Sequence, residues 1–173
     1  KELGNKPLLS NNCLLFHAYD LFHRMDKARA LKDQIQRTLL DQDQFIDYPG
    51  AIRFDPLGGA LAVLHGVADT DRLRHGVLSS MREVDTKYGV TIKCRHNPHT
   101  PEEAPVIERT DGVVVWPFVV GFAAMALQQI GAHSYAKEQF RKLRELDGFR
   151  EWYNPADGKG YGAEQQLWSA TLY

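Results

Sequence analysis

Cysteine is nearly absent from this chain: Cys13 and Cys94 are the 2 thiols in 173 residues. They can form at most one bridge, which excludes a small secreted scaffold built on disulfides and favours buried free thiols. An excess of one charge is missing too. Lys and Arg number 21 against 22 Asp and Glu, a net charge of −1. Nucleic-acid binding rests on neutralising phosphates with a basic surface, so this balance offers no electrostatic case for it. Long apolar runs are also lacking. The longest, Val113 to Leu127, is broken by Pro117 and Gly121 and falls short of membrane-spanning length. No basic start followed by an apolar run marks a signal peptide, and the expected location is cytoplasmic. The sequence opens at Lys1 without an initiator Met, which reads as a piece of a longer protein.

What is present is ordinary in amount and informative in order. With 43% hydrophobic and 25% charged residues, the chain reads as a single globular domain over 1–173. Its apolar residues recur at helical spacing almost throughout. Asn11–Met25 carries Leu14, Leu15, Ala18, Leu21, Phe22 and Met25 on one stripe. Asp26 is positioned to cap a second helix with stripe Ala28, Leu31, Ile35 and Leu39. Asp55-Pro56 gives an N-cap followed by proline at the first helical position, opening a third helix over Leu57–Gly66. Asp69 opens a fourth, with Leu73, Val77, Met81, Val84 and Tyr88 on one face. A fifth begins near Pro117 and ends at Gly131; Ser134–Leu146 is a sixth, with stripe Ala136, Phe140 and Leu143. Glu164–Tyr173 is the seventh.

These helices alternate in character. The second, fourth and sixth are charged and striped, as helices facing water are; the third, fifth and seventh are apolar or small nearly all round, as buried helices are. Inner helices ringed by outer ones make an all-α fold of the α/α toroid type. A helical-repeat solenoid is the alternative, although no fixed short period supports it. Links into the outer helices are short, whereas those before the inner helices are long: Asp43–Phe54, Gly89–Val115 and Asp147–Ala163. Long loops in a compact domain are usually functional. The site is therefore expected where the inner helices begin, lined by Asp47, Tyr48, Asp55, Trp116, Glu151, Trp152 and Gln165.

Glu151-Trp152-Tyr153 sets a carboxylate beside two aromatics, followed by the turn Asn154-Pro155-Ala156-Asp157-Gly158. Glycosidic bond cleavage needs one carboxylic acid for the leaving oxygen and a second carboxylate as base or nucleophile. Aromatic faces hold a sugar by stacking, and Gln, Asn and Arg read its hydroxyls. A tryptophan is more often core than site, and a lone glutamate is more often a solvated acid. Position at loop–helix junctions narrows that margin for Trp116 and Trp152.

Three motifs in order resemble the six-hairpin α-glycosidases, the clan of glucoamylases, processing α-glucosidases, mannosylglycerate hydrolases, amylo-α-1,6-glucosidases, trehalases and neutral invertases. The closing segment from Gly148 to Ala170 carries the glutamate, the turn and a terminal helix with Gln166-Leu167-Trp168-Ser169. Asp111-Gly112 and Val115-Trp116-Pro117-Phe118 resemble the clan's G-x-x-W-P segment, and Asp55…Gly58-Gly59-Ala60-Leu61-Ala62 its D-x-x-G-N-A-L-A element, with Gly59 where Asn is usual. The likeness implies the C-terminal half of a barrel, an incomplete ring of about seven helices. It implies inverting hydrolysis of an α-glucosidic or related bond, with Glu151 as the base that activates water. Trp116, Trp152, Tyr153, Asp55, Gln166 and Arg95 are the expected substrate-binding residues. The general acid is expected upstream of this chain, since Asp47, Asp55 and Asp111 do not match the clan's acid motif.

The substrate implied is an oligosaccharide, disaccharide or small glycoside, with no cofactor. A homo-oligomer or a missing N-terminal half is expected to complete the ring. A non-catalytic helical module that binds carbohydrate or a protein partner is the alternative function. Cys94-Arg95-His96-Asn97-Pro98-His99 has the look of a metal cluster, with Glu102 or Glu103 as the nearest fourth ligand. It is read as a polar loop, with no metal expected, and Val90–Arg95 as a short strand within it. Arg95 and Arg109 suit sugar hydroxyls and surface ion pairs equally. Glu164, the rival acid, sits too near Trp168 to fit the motif and favours its helix start electrostatically.

Overall fold

The computed structural model describes residues 6–51, 53–93 and 100–167, which form two compact units, Lys1–Met81 and Arg82–Tyr173. Seven helices are found among the described residues.

The first unit holds α1 (Leu9–Leu21), α2 (Met25–Thr38), the hairpin β1 (Leu40–Asp41) with β2 (Gln44–Phe45), α3 (Pro56–Leu64) and all but the last two residues of α4 (Asp71–Glu83). α3 is buried almost all round, from Pro56 through Val63. Its start follows from local chemistry: Asp55 Oδ1 accepts the Leu57 amide and Oδ2 the Gly58 amide, each at 3.0 Å. Pro56 then supplies a helical φ without an N–H to satisfy. Glycine at 58 lets α1 approach, because a β-carbon there would lie 2.8 Å from Leu9 Cδ2. α2 buries Ala28 and Ile35 and leaves its charged face in water, its chain entering at Arg24 with Asp26 in the first turn rather than as cap. α4 starts after Thr70, whose hydroxyl accepts the Leu73 amide at 3.3 Å, while Asp69 pairs with Lys32 at 2.7 Å.

α1 departs from its expected packing. It ends at Leu21 and buries Leu9 and Cys13, whereas Leu14, Leu15 and Leu21 are exposed, as are Phe22 just past its end, by 78%, and Met25, which opens α2. The helical period is there, but none of the described residues of this unit covers the stripe.

The second unit is built around α6 (Pro117–Gln129) and α7 (His133–Arg144), packed on each other through a short link at Gly131. α6 is the buried partner, with Val119, Val120, Ala123, Ala124 and Leu127 fully enclosed. Against it lies a five-stranded antiparallel sheet in sequential order: β3 (Asp85–Thr86), β4 (Gly89–Lys93), β5 (Val113–Val115), β6 (Trp152–Tyr153) and β7 (Gly160–Tyr161). A short helix, α5 (Glu103–Arg109), joins β4 to β5 across residues 94–99, which lie outside the described set. The fourth helix thus ends before Val84, which leads into β3, and before Tyr88, which lies in the β3–β4 turn. The stretches read as long loops carry hairpins.

α7 presents a polar face inward. Gln139 is fully buried: its Oε1 accepts the Val90 amide at 3.2 Å and its Nε2 donates to Asp85 Oδ1 at 3.1 Å. Lys142 Nζ reaches Asp85 Oδ2 at 2.7 Å. Phe140, expected in the stripe, is partly exposed instead, because the face that meets the Asp85 hairpin is the one carrying Gln139 and Lys142.

Candidate active site

β6 and β7 bring the expected glutamate to a defined place. The hairpin pairs Trp152 with Tyr161 and Tyr153 with Gly160. Asn154 closes its loop: its amide donates to the Lys159 carbonyl at 3.0 Å, and its Oδ1 accepts the Ala156 amide at 3.1 Å. Asp157 Oδ1 accepts the Lys159 amide at 2.9 Å, so Asn and Asp act here as turn formers. Gly158, at φ 73°, lies so close to the Tyr88 ring that a side chain would collide with it.

Glu151, just before β6, is half-buried. Its backbone amide donates to the Ala163 carbonyl at 3.0 Å, and its Oε2 accepts the Ala163 amide at 3.1 Å. Gly162 lies under the carboxylate at φ 74°. The side chain is therefore held by the backbone of the opposing strand exit.

The aromatic wall beside it has two layers. Trp152 is fully buried with Val106 and Val114 and stacks on Tyr161, with ring centroids 4.6 Å apart and planes 17° from parallel. Trp116, the N-cap residue of α6, is half-buried against that cluster and meets Phe118 edge-on at 4.9 Å. Lys159 lies over the Tyr161 ring at 5.4 Å.

Two of the expected binding residues lie inside the unit. Trp152 has no exposed face for a sugar and backs Tyr161 instead. Tyr153 is fully buried, and its hydroxyl bonds backbone: it accepts from the Arg150 amide at 3.1 Å and faces the Gly148 and Asp147 carbonyls at 2.7 and 3.0 Å. Gln166 is half-buried, and its amide donates to the Phe149 carbonyl at 2.8 Å, closing the segment that carries Glu151. Glu164 pairs with Arg150 at 2.7 Å. Arg95, Trp168 and Ser169 lie outside the described residues, as do Cys94, His96 and His99.

Asp47, Tyr48 and Asp55 belong to the first unit. Asp55 is 8% exposed, and both its oxygens are engaged by α3 amides, which makes it a cap. Burial, then the negative Asp47, pushes its carboxyl up to about 7 against the lowering effect of those amides. Burial also raises Asp47, and it lifts the Cys13 thiol to about 12.

Two residues that the sequence did not mark for this site stand on the Glu151 segment or hold it: Tyr161, and Glu103, which figures there only with Glu102 as a nearest metal ligand. Tyr161 offers a half-buried ring; its signal was an aromatic between two glycines, Gly160 and Gly162, in the turn-rich segment. Glu103, 2% exposed, accepts the Gly162 amide on Oε1 at 3.2 Å, and nothing in the sequence sets it apart from its neighbour Glu102. Among the described residues, no group of three His, Cys, Asp or Glu is placed to hold a metal ion, and no helix is long and apolar enough to cross a membrane.

Comparison with known proteins bears on the same segment. A family described as the mannosylglycerate hydrolase MGH1-like glycoside hydrolase domain matches residues 18–169, most of the chain. Among solved structures, the GH63 mannosylglycerate hydrolase from Thermus thermophilus in complex with glucose is similar at 20% identity and a TM-score of 0.66, over 95% of this chain and 46% of that one. The same enzyme in complex with Tris gives 18% identity and a TM-score of 0.65, over 95% and 44%. This chain therefore spans less than half the length of these structures. No curated protein sequence matches it. The structural likeness shows the fold class, part of an α/α toroid.

Proposed function

The chain belongs to the mannosylglycerate hydrolase MGH1-like glycoside hydrolase family, and we propose that it carries the base half of an inverting glycosidase site. Glu151 takes a proton from water as the water oxygen bonds to the anomeric carbon. The bond from that carbon to the leaving oxygen breaks, and a carboxylic acid outside these residues protonates the leaving oxygen. The two carboxyls of such a site stand about 6.5–9.5 Å apart, with room for the water between them. The observation that carries this reading is the Glu151 carboxylate, half-buried and fixed by the Ala163 amide beside an aromatic wall.

Trp116 and Tyr161 supply the aromatic faces for the sugar, with Trp152 behind Tyr161 and Gln166 on the same segment. Tyr153 and Asp55 hold backbone and take no substrate contact in this reading. Arg95 is kept as a proposed hydroxyl- or carboxylate-binding residue on its sequence pattern alone. The substrate class is a small α-glycoside, with an α-mannosyl or α-glucosyl glycerate first among candidates from the names of the similar enzymes. No cofactor enters the reaction, and the cytoplasm is the proposed location.

The test is a panel of mannosylglycerate, glucosylglycerate, maltose and trehalose offered to the full-length protein, with proton NMR of the first sugar released. Release of the β-anomer from an α-linked substrate is expected. Release of the α-anomer would replace inversion by retention, and no turnover on any α-glycoside would favour the non-catalytic module.

A second reading, association through a protein surface, is supported by the exposed apolar residues of α1 and the turn after it, Leu14, Leu15, Leu21 and Phe22, with Met25 at the start of α2.

A further inference from the structure

We propose that Glu103 is a positioning residue for Glu151, acting through the backbone of Gly162. The proposal rests on the reading of Glu151 as base and names a residue that neither the motifs nor the family likeness singles out.

Glu103 is the first residue of α5 and is 2% exposed. Removing a carboxylate from water is costly unless hydrogen bonds compensate, so a glutamate kept there calls for an explanation. Part of it is the Gly162 amide, which donates to Glu103 Oε1 at 3.2 Å. The very next amide, that of Ala163, donates to Glu151 Oε2 at 3.1 Å. Two carboxylates from distant parts of the chain thus hold consecutive N–H groups of one short segment.

Gly162 is what makes this possible. Its φ of 74° is open to glycine at little cost, and a β-carbon there would stand 2.6 Å from both Cβ and Oε2 of Glu151. The peptide therefore packs directly beneath the Glu151 side chain while its amide is turned to Glu103. Any movement of Gly162 carries the Ala163 amide with it, and so moves the oxygen that Ala163 holds. A displacement of about 1 Å at a reacting group costs on the order of 100-fold in rate.

The experiment compares Glu103→Ala with Glu103→Gln in the full-length protein. Gln keeps an oxygen that accepts the Gly162 amide; Ala does not. Turnover of mannosylglycerate is measured alongside amide hydrogen exchange of the segment 160–165. For Ala, kcat is expected to fall about 10- to 100-fold with KM within about twofold, and exchange at 162 and 163 to quicken. Gln is expected to restore most of both.

Unchanged kcat and exchange in a folded Ala variant would overturn the proposal. A loss that Gln fails to restore would overturn it too, by making the charge of Glu103 rather than its acceptor the important property. The exchange measurement stands apart from the identity of the base. Retained turnover in Glu151→Gln would remove the base reading, while quickened exchange in Glu103→Ala would still show the clamp. If Ala does not fold, Glu103→Met takes its place, keeping the length and apolar bulk without the acceptor.

Discussion

Gly162 lies directly beneath the Glu151 carboxylate, so close that a β-carbon on it would stand 2.6 Å from Glu151 Oε2. Gly162→Ala must therefore displace the carboxylate as well as strain the backbone. About 1–2 kcal/mol of stability should be lost to the left-handed conformation, and activity should fall by roughly 100-fold. Gly131→Ala is the control: Gly131 has a φ of 82° and open space around it. It should lose similar stability and keep its activity. Equal activity in the two variants would contradict the close packing at Glu151.

Tyr153→Phe should act on stability. The lost hydroxyl leaves the Arg150 amide without its acceptor and removes the donor facing the Gly148 and Asp147 carbonyls. Burial raises the pKa of that hydroxyl, so it stays a protonated donor through the neutral range. A loss of about 1–3 kcal/mol in urea unfolding is expected. A raised KM with unchanged stability would instead restore Tyr153 as a substrate contact.

Asp55 gives the first unit a pH dependence with a definite sign. Its carboxyl titrates at about 7 when folded, against an ordinary value of 3.8. Between those values the folded chain binds a proton that the unfolded chain has released, so this contribution is full below about pH 4 and is lost as pH rises through about 7. Asparagine caps a helix as well as aspartate does and does not titrate. The melting temperature of Asp55→Asn relative to the wild type should therefore climb from about pH 4 to about pH 7.5. A difference that stays constant over that range would count against the buried acid.

The exposed stripe of α1 predicts association. Light scattering of residues 1–173 should find more than a monomer, and Phe22→Asp should reduce it, Phe22 being 78% exposed. Monomeric behaviour at all concentrations would leave that stripe without a role as a contact surface between copies.

Some of this was legible in the sequence for identifiable reasons. The starts of α3 and α6 rest on proline and, for α3, on a side-chain cap, which are local and carry their own chemistry. The apolar-all-round character of α3 and α6 gave the layering. α1 shows the limit of periodicity, which gives a helix but cannot say what covers it. The sheet was mostly hidden because its strands run from two to five residues, too short for alternation to register; only the stretch from Val90 stood out. α5 was hidden by Pro105 within its first turn. Glu151 could be singled out by its aromatic neighbours and turn, but which of those aromatics faced outward depended on the β6–β7 pairing. Trp152 turned in and Tyr161 remained partly open. Buried Glu103 owes its place to a contact 59 positions away in sequence, which no local pattern encodes.

The most direct test of the base assignment is Glu151→Gln in the full-length protein, assayed for hydrolysis and for sugar binding by calorimetry. Glutamine keeps the shape and the acceptor for the Ala163 amide but cannot take a proton from water. Turnover should drop by about 100- to 10,000-fold while the dissociation constant for the substrate stays within a few-fold. Turnover near that of the wild type would contradict the assignment of Glu151 as the base.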